Sequence, residues 1–495
     1  MTRREWLAGA AATGLALLRQ PKAAEASQDT VPPADLLSRE SRAAASAHPE
    51  LNRRLNIVYI MADDLGWADV GYHHLSPIRT PNIDRLVGEG VELDRFYGCP
   101  VCSPSRACVL TGRSPMRYGM IYDVVRPWHT YGIPQNERLL SEAFHDAGYQ
   151  TWIVGKWHLG QWNARMVPNA RGFDHFYGFL TGEIDYFKHT REKSVDWQRN
   201  GKTVREQGYS TDLLANEAVR LIESRDRSRP FFLYLPFNAP HQPLMAPPDL
   251  IATYTEISDP QRRTYAAMVT SLDQAIGQVC RAIESSDAAK NTLIVFHSDN
   301  GGQTKQGAVN LPLRAGKSTT FEGGIRVPAF LHCPGMLPGG VRSRQVITNL
   351  DMFPTLASAA GIEPGNLQPF DGSDLWSVLA NNRSTPRKDL FFAVGERGCW
   401  RHAVLHGPWK LVLEKPEAAH RENAADPPEK AFLFRIEEDP FEKSNLATAY
   451  PDVVKDLTAR IRAWCELHPD GDIDVSSRPH PGFVAPEEWA QCSIA

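Results

Sequence analysis

Cysteine is scarce in this chain, with eight in 495 residues, so a disulfide framework does not carry the fold. Positive charge is not in excess either. Fifty-four Lys and Arg stand against 58 Asp and Glu, a formal net charge of -4, which is too little to neutralise a phosphate backbone and excludes nucleic acid as a partner on bulk charge. No segment beyond the N-terminal stretch is long and apolar enough to cross a bilayer. Repeats at solenoid periods and extended low-complexity tracts are also missing. What is present is an ordinary globular composition, 42% hydrophobic and 23% charged, which rules out disorder and collagen. Single cores stop growing at roughly 250–300 residues, so one large domain plus a smaller one is expected.

The N-terminus reads as an address. Residues 1–26 carry Arg3-Arg4, an Ala/Gly/Leu run from Ala8 to Leu18, and Ala24-Glu25-Ala26. This resembles a twin-arginine export signal, which implies a bacterial protein that is periplasmic or secreted, with no stable membrane anchor. Residues 27–50 are rich in Ala, Ser and Pro and read as a linker.

From residue 51 onward strand and helix patterns alternate. Leu55 to Met61, Thr151 to Val154, Phe231 to Leu235 and Thr292 to Phe296 are short continuous apolar runs, the form of strands buried on both faces. Helical spacing precedes several of them, as in Leu139 to Ala147 and Ala266 to Ile283. The pattern predicts an α/β fold: a large, mainly parallel mixed sheet flanked by helices, with ligands gathered beyond the carboxyl ends of the strands. Near Ser384-Thr385-Pro386 the pattern changes to short strands at Leu390–Val394, Ala403–Leu405, Lys410–Leu413 and Phe432–Phe434. An amphipathic stretch from Pro451 to Cys465 follows. A smaller C-terminal domain, residues 386–495, is therefore expected, holding an antiparallel sheet and a helix, after a catalytic domain of residues 51–385.

Chemistry-bearing residues cluster at the ends of the apolar runs. Asp63-Asp64 ends the first, and Asp299-Asn300-Gly301-Gly302 follows the last. Taken singly, each is most often a cap or a turn. Taken together, three carboxylates and an amide oxygen suit a hard divalent cation, Ca²⁺ more readily than Zn²⁺, because no His or Cys group with zinc spacing accompanies them. Cys99, Cys102 and Cys108 lie close together, which places chemistry near one of them. Lys156 and His158 are two apart, a spacing that puts both side chains on one face if the strand continues. His241 sits between Pro240 and Pro243, after the third run, and Lys317 lies in Arg314-Ala315-Gly316-Lys317-Ser318.

Cys102-Ser103-Pro104-Ser105-Arg106, with Gly155-Lys156-Trp157-His158-Leu159-Gly160, Asn238-Ala239-Pro240-His241 and the Lys317 segment, resembles the sulfatases. The resemblance runs from about Asn56 to Asn445. It implies a sulfuric ester hydrolase in which Cys102 is converted to formylglycine by a formylglycine-generating enzyme, before the protein folds and is exported. Seven cysteines would then remain, an odd number, so at least one is free unless it pairs between chains. Cys280 and Cys465 read as reduced core residues. The resemblance further implies Ca²⁺ held by Asp63, Asp64, Cys102, Asp299 and Asn300. Lys156 would bind the aldehyde hydrate and the sulfate oxygens, His158 would act as base when sulfate is eliminated, His241 with Lys317 would contact the bridging oxygen and help the alcohol leave, and Arg106 would add fixed positive charge. Arg314 and Arg326 could equally be structural. Gly182-Glu183-Ile184-Asp185-Tyr186-Phe187 is similar to the arylsulfatase B branch, which acts on 4-sulfated N-acetylgalactosamine. The expected substrate is therefore a sulfated small molecule or glycan. A phosphonate monoester or phosphodiester hydrolase of the same superfamily and an inactive sulfated-glycan-binding module are the alternatives.

Overall fold

Seven consecutive residues of the first strand, Asn56–Ala62, are buried, and their side chains divide by parity between two cores. Val58, Ile60 and Ala62 face one, Ile57, Tyr59 and Met61 the other, as the period of two in a strand requires. The computed structural model describes residues 54–365, 368–396, 399–415, 428–469, 474 and 476–494. The expected export signal and linker lie outside the described residues.

The strands, in chain order, are β1 Asn56–Ala62, β2 Val91–Tyr97, β3 Gln150–Lys156, β4 His175–Phe179, β5 Thr190–Arg191, β6 Ser194–Val195, β7 Gln198–Arg199 and β8 Lys202–Thr203. They continue with β9 Phe231–Pro236, β10 Thr292–Ser298, β11 Ala329–His332, β12 Val341–Thr348, β13 Leu390–Glu396, β14 Cys399–His406, β15 Trp409–Lys415 and β16 Lys430–Arg435. Ten of them form one sheet in the order β12-β2-β11-β10-β1-β9-β3-β4-β7-β8. Its centre, β10-β1-β9-β3-β4, is parallel throughout. The expected large mixed sheet is thus found, with β11 inserted antiparallel between β10 and β2. Helices Ser210–Ser224 and Pro260–Glu284 contribute to one core, and helices Cys102–Thr111 and Met352–Ala360 to the other.

The second sheet, β13-β14-β15-β16, is antiparallel. One face meets the large sheet's periphery, where Phe392, Leu405, Val412 and Phe434 pack with Tyr97, Phe321 and Ile325. The other face takes helix Pro451–Cys465 through Leu457 and Ile461. The boundary expected near residue 385 falls in the irregular stretch before β13, and Glu50–Ala495 packs as one unit.

A buried ionic knot crosses this junction. Lys410 on β15 has no exposure and its Nζ lies 2.8 Å from both Glu322 Oε1 and Glu442 Oε1. Burial raises the Glu442 pKa to about 7, against the opposing pull of Lys410. Arg314 adds a second tie: its guanidinium lies 4.0 Å from the Phe321 ring centre and donates to the Glu442 carbonyl at 3.0 Å. Arg326 is likewise structural, pairing with Asp94 at 2.7 Å. Removing one partner from a buried ion set leaves the others uncompensated. Lys410→Met is therefore expected to destabilise the fold by about 3–5 kcal/mol, read as a lower urea midpoint.

Candidate active site

The parallel strands deliver their C-terminal residues to one edge. Asp63 and Asp64 follow β1, Lys156 ends β3, Asn238 to His241 follow β9, and Asp299 and Asn300 follow β10. Cys102 opens helix Cys102–Thr111, all ten of whose residues are buried. Pro104 falls in the first turn, where a missing N–H costs little. Arg106 is one turn on from Cys102 and so shares its face. The helix N-terminus adds partial positive charge beside the Cys102 sulfur.

Salt bridges bind these segments together. Lys156 Nζ donates to Asp63 Oδ2 at 2.5 Å. Arg106 Nη2 lies 3.4 Å from Asp63 Oδ2 and 2.9 Å from Asp299 Oδ2. Lys317 Nζ donates to Asp64 Oδ2 at 2.8 Å. The Cys102 sulfur sits between the two sets, 3.5 Å from Asp63 Oδ1 and 3.5 Å from Lys317 Nζ. Burial alone would raise the Asp63 pKa, but Lys156, His241 and Arg106 outweigh it and bring it down to about 2. Burial would likewise lower the Lys317 pKa, and Asp64 reverses that, so Lys317 is held firmly charged. Burial, with Asp299 and Asp63, pushes the Cys102 thiol far up. An unmodified Cys102 is thus a poor nucleophile, since the thiolate is the reactive form.

Two histidines face this cluster. His241 Nε2 is 3.7 Å from Asp64 Oδ2, and its Nδ1 lies 2.7 Å from the Gln242 carbonyl oxygen and 3.7 Å from Glu183 Oε2. Tyr186 fixes the turn by donating to the Asn238 and His241 carbonyls at 2.6 and 2.8 Å. His158 does not lie on a continued strand, as its spacing from Lys156 suggested: β3 stops at Lys156 and His158 has φ +60°. The alternation rule therefore does not apply, yet burial and the charges of Lys156, Arg106, His241 and Lys317 all depress its pKa well below 6.5. His158 is held neutral. Its ring lies against Gly182, where an added Cβ would fall 2.5 Å from Nε2.

One ligand atom from each of Asp63, Asp64, Cys102 and His241 falls within 4.8 Å of the others. Asp299 stands beside this group with its oxygens already engaged: Oδ1 accepts from the Asp64 and Asn300 amides at 3.3 and 2.9 Å, and Oδ2 from Arg106. Asn300 Nδ2 donates to Asp64 Oδ1 at 2.8 Å, which leaves the buried Asn300 Oδ1 with no partner. An orphaned amide oxygen beside buried carboxylates fits a hard cation. Sequence reasoning did not single out Glu183 or Ser105. Glu183 and Gln242 help line a cavity of about 490 Å³ with Asp185, Thr190 and Arg191. Ser105 Oγ accepts from the Cys99 amide at 2.8 Å and donates to the Asp299 carbonyl. A serine inside a motif carries no separate sequence signal for such a bridge.

Residues 55–362 match the family described as Sulfatase. The chain belongs to the sulfatase family. It is 32% identical over 464 residues to arylsulfatase J of Mus musculus, covering 85% of this chain and 76% of the relative. To N-acetylgalactosamine-6-sulfatase of Sus scrofa it is 34% identical, over 72% of this chain and 71% of the other. The solved structure of Ps i-CgsB in complex with k-i-k-neocarrahexaose superposes with a TM-score of 0.78 at 34% identity, covering 86% of this chain and 96% of that one. The phosphonate monoester hydrolase of Agrobacterium radiobacter, at 19% identity and a TM-score of 0.59, shares the fold alone. The sulfatase is thus a sulfuric ester hydrolase.

Gly182→Ala should force the His158 ring aside without touching the salt bridges. Misplacing a reacting group by about 1 Å costs on the order of 10²-fold. The expected result is a fall in kcat of that size at an unchanged unfolding temperature, measured by steady-state kinetics and calorimetry.

Proposed function

We propose that this sulfatase removes sulfate monoesters from a sulfated glycan, using Cys102 after its conversion to formylglycine. The observation that carries the reading is the Cys102 sulfur, buried between Asp63 Oδ1 and Lys317 Nζ at 3.5 Å each. The hydrated aldehyde would supply two hydroxyls, one to attack sulfur and one to expel sulfate as the carbonyl re-forms. A Ca²⁺ ion held by Asp63, Asp64, Asp299, Asn300 and the modified Cys102 would supply Lewis-acid stabilisation of the sulfate oxygens.

Charge balance supports an anionic substrate. Asp63, Asp64 and Asp299 are offset by Arg106, Lys156 and Lys317, so any divalent cation leaves a local surplus of positive charge. Lys156 and Lys317 would orient the sulfate oxygens and stabilise the negative charge that develops on them. His158, neutral and buried, would take the proton released when sulfate is eliminated. His241 would donate to the departing alcohol oxygen while the Gln242 carbonyl accepts from Nδ1. The adjacent cavity bounded by Glu183, Arg191 and Gln242 would receive the alcohol part of the substrate. The names of the relatives support a glycan, and the segment Gly182–Phe187 makes N-acetylgalactosamine sulfate the first sugar to test. The protein would act in the periplasm or outside the cell after twin-arginine export.

Tryptic digestion isolates Phe96–Arg106, in which fragmentation reads Cys99 and Cys102 separately. The expected product is an aldehyde or its hydrate at Cys102, in a preparation that releases sulfate from aryl sulfates faster than phosphonate from aryl phosphonates. An unmodified thiol in an active preparation, or faster phosphonate cleavage, would reject the reading. Chelation should abolish turnover and lower the unfolding temperature, with both restored by Ca²⁺. Restoration by Zn²⁺ alone would refute the oxygen-ligand assignment.

A further inference from the structure

Cys99 and Cys108 flank the Cys102 segment, and neither enters the chemistry above. Cys99 sits in the turn after β2, and Cys108 lies in the second half of helix Cys102–Thr111. Both are buried, and their sulfurs are 3.5 Å apart. The structure holds both as thiols, and no other two cysteine sulfurs are in contact among the described residues. The Cys102 sulfur is engaged elsewhere, with Asp63 and Lys317.

The turn bearing Cys99 is tied to two of the segments that carry site residues, those of Asp299 and Lys317. The Cys99 amide donates to Ser105 Oγ at 2.8 Å, and Ser105 Oγ donates in turn to the Asp299 carbonyl. The Pro100 carbonyl accepts from the Ser318 amide at 2.9 Å, next to Lys317, and Gly98 donates to the Ile325 carbonyl at 2.7 Å.

We propose that Cys99 and Cys108 are joined by an intramolecular disulfide in the mature protein, stapling this turn to the helix that carries the nucleophile. Bond formation needs the sulfurs to close from 3.5 Å to about 2.05 Å. Two S–H bonds break and one S–S bond forms. The two electrons and two protons pass to a disulfide-bearing oxidant, a thiol oxidoreductase or oxidised glutathione, which leaves as two thiols. Burial then shields the bond from reductants.

Trypsin cleaves after Arg106, which places Cys99 in Phe96–Arg106 and Cys108 in Ala107–Arg113. The purified protein, equilibrated with oxidised glutathione, is denatured, alkylated and digested without reductant. The expected finding is these two peptides linked. Alkylation of both cysteines, separate glutathione adducts on each, or a Cys99–Cys102 bond would overturn the proposal. Closing a loop of this length should raise the unfolding temperature of the oxidised form by about 3 °C over the reduced form. That difference should vanish in the Cys99→Ala/Cys108→Ala double variant. Its persistence there would place the stabilisation elsewhere and refute the assignment.

Discussion

Three carboxylates and three cations share one dry edge of the large sheet, and the placement of most other parts follows from their need for one another. A buried charge is tolerated only when paired and hydrogen-bonded. Asp63 alone is met by Lys156 and Arg106, and Arg106 bridges onward to Asp299. These residues come from β1, β3, β10 and the helix that begins at Cys102. The strand ends must therefore stay adjacent, because a shift of any one would strand a charge in the interior. The same constraint explains the close backbone approach at Gly155, where a Cβ would fall 2.0 Å from the Pro236 carbonyl oxygen. Only glycine lets β3 lie that near the end of β9.

The large sheet was legible because its central strands are buried on both faces and so read as unbroken apolar runs. β1, β3, β9 and β10 all fit that pattern. β2 and β12 alternate buried with less buried residues, a weaker signal, and β5 to β8 are two residues each, too short for any period to show. The site was legible as residue identities because its members fall in motifs at strand ends. Its geometry was less so. His158 reaches the cluster through a left-handed backbone, which side-chain alternation could not anticipate. Glu183 reaches His241 across a loop, and no spacing in the chain encodes that approach. The expected core role of Cys465 holds only in part, since it is half-buried and its sulfur lies 3.9 Å from His402 Nε2.

The two histidines illustrate how neighbours, more than residue type, set chemistry. His158 is surrounded by cations and stays neutral. His241 is also depressed by burial and Lys317, but Asp63 and Asp64 push back, and Glu183 stands beside its other nitrogen. Both imidazoles are thereby biased toward the neutral form, His158 the more strongly because no carboxylate opposes the cations around it.

The ionic knot of Lys410, Glu322 and Glu442 bears on where this protein can be said to end. Every residue of the charged cluster at the sheet edge lies at or before position 317, and the family match stops at 362. Yet Lys317 rides on a segment whose far end is clamped by side chains at 410 and 442, and whose Arg314 lies over Phe432 and Phe434 of the second sheet. A gene fragment cut at the end of the match would encode the whole charged cluster and still leave the lysine's loop without its anchor. The unit that evolution can move from one protein to another is therefore longer than the unit that recognition by motif would draw.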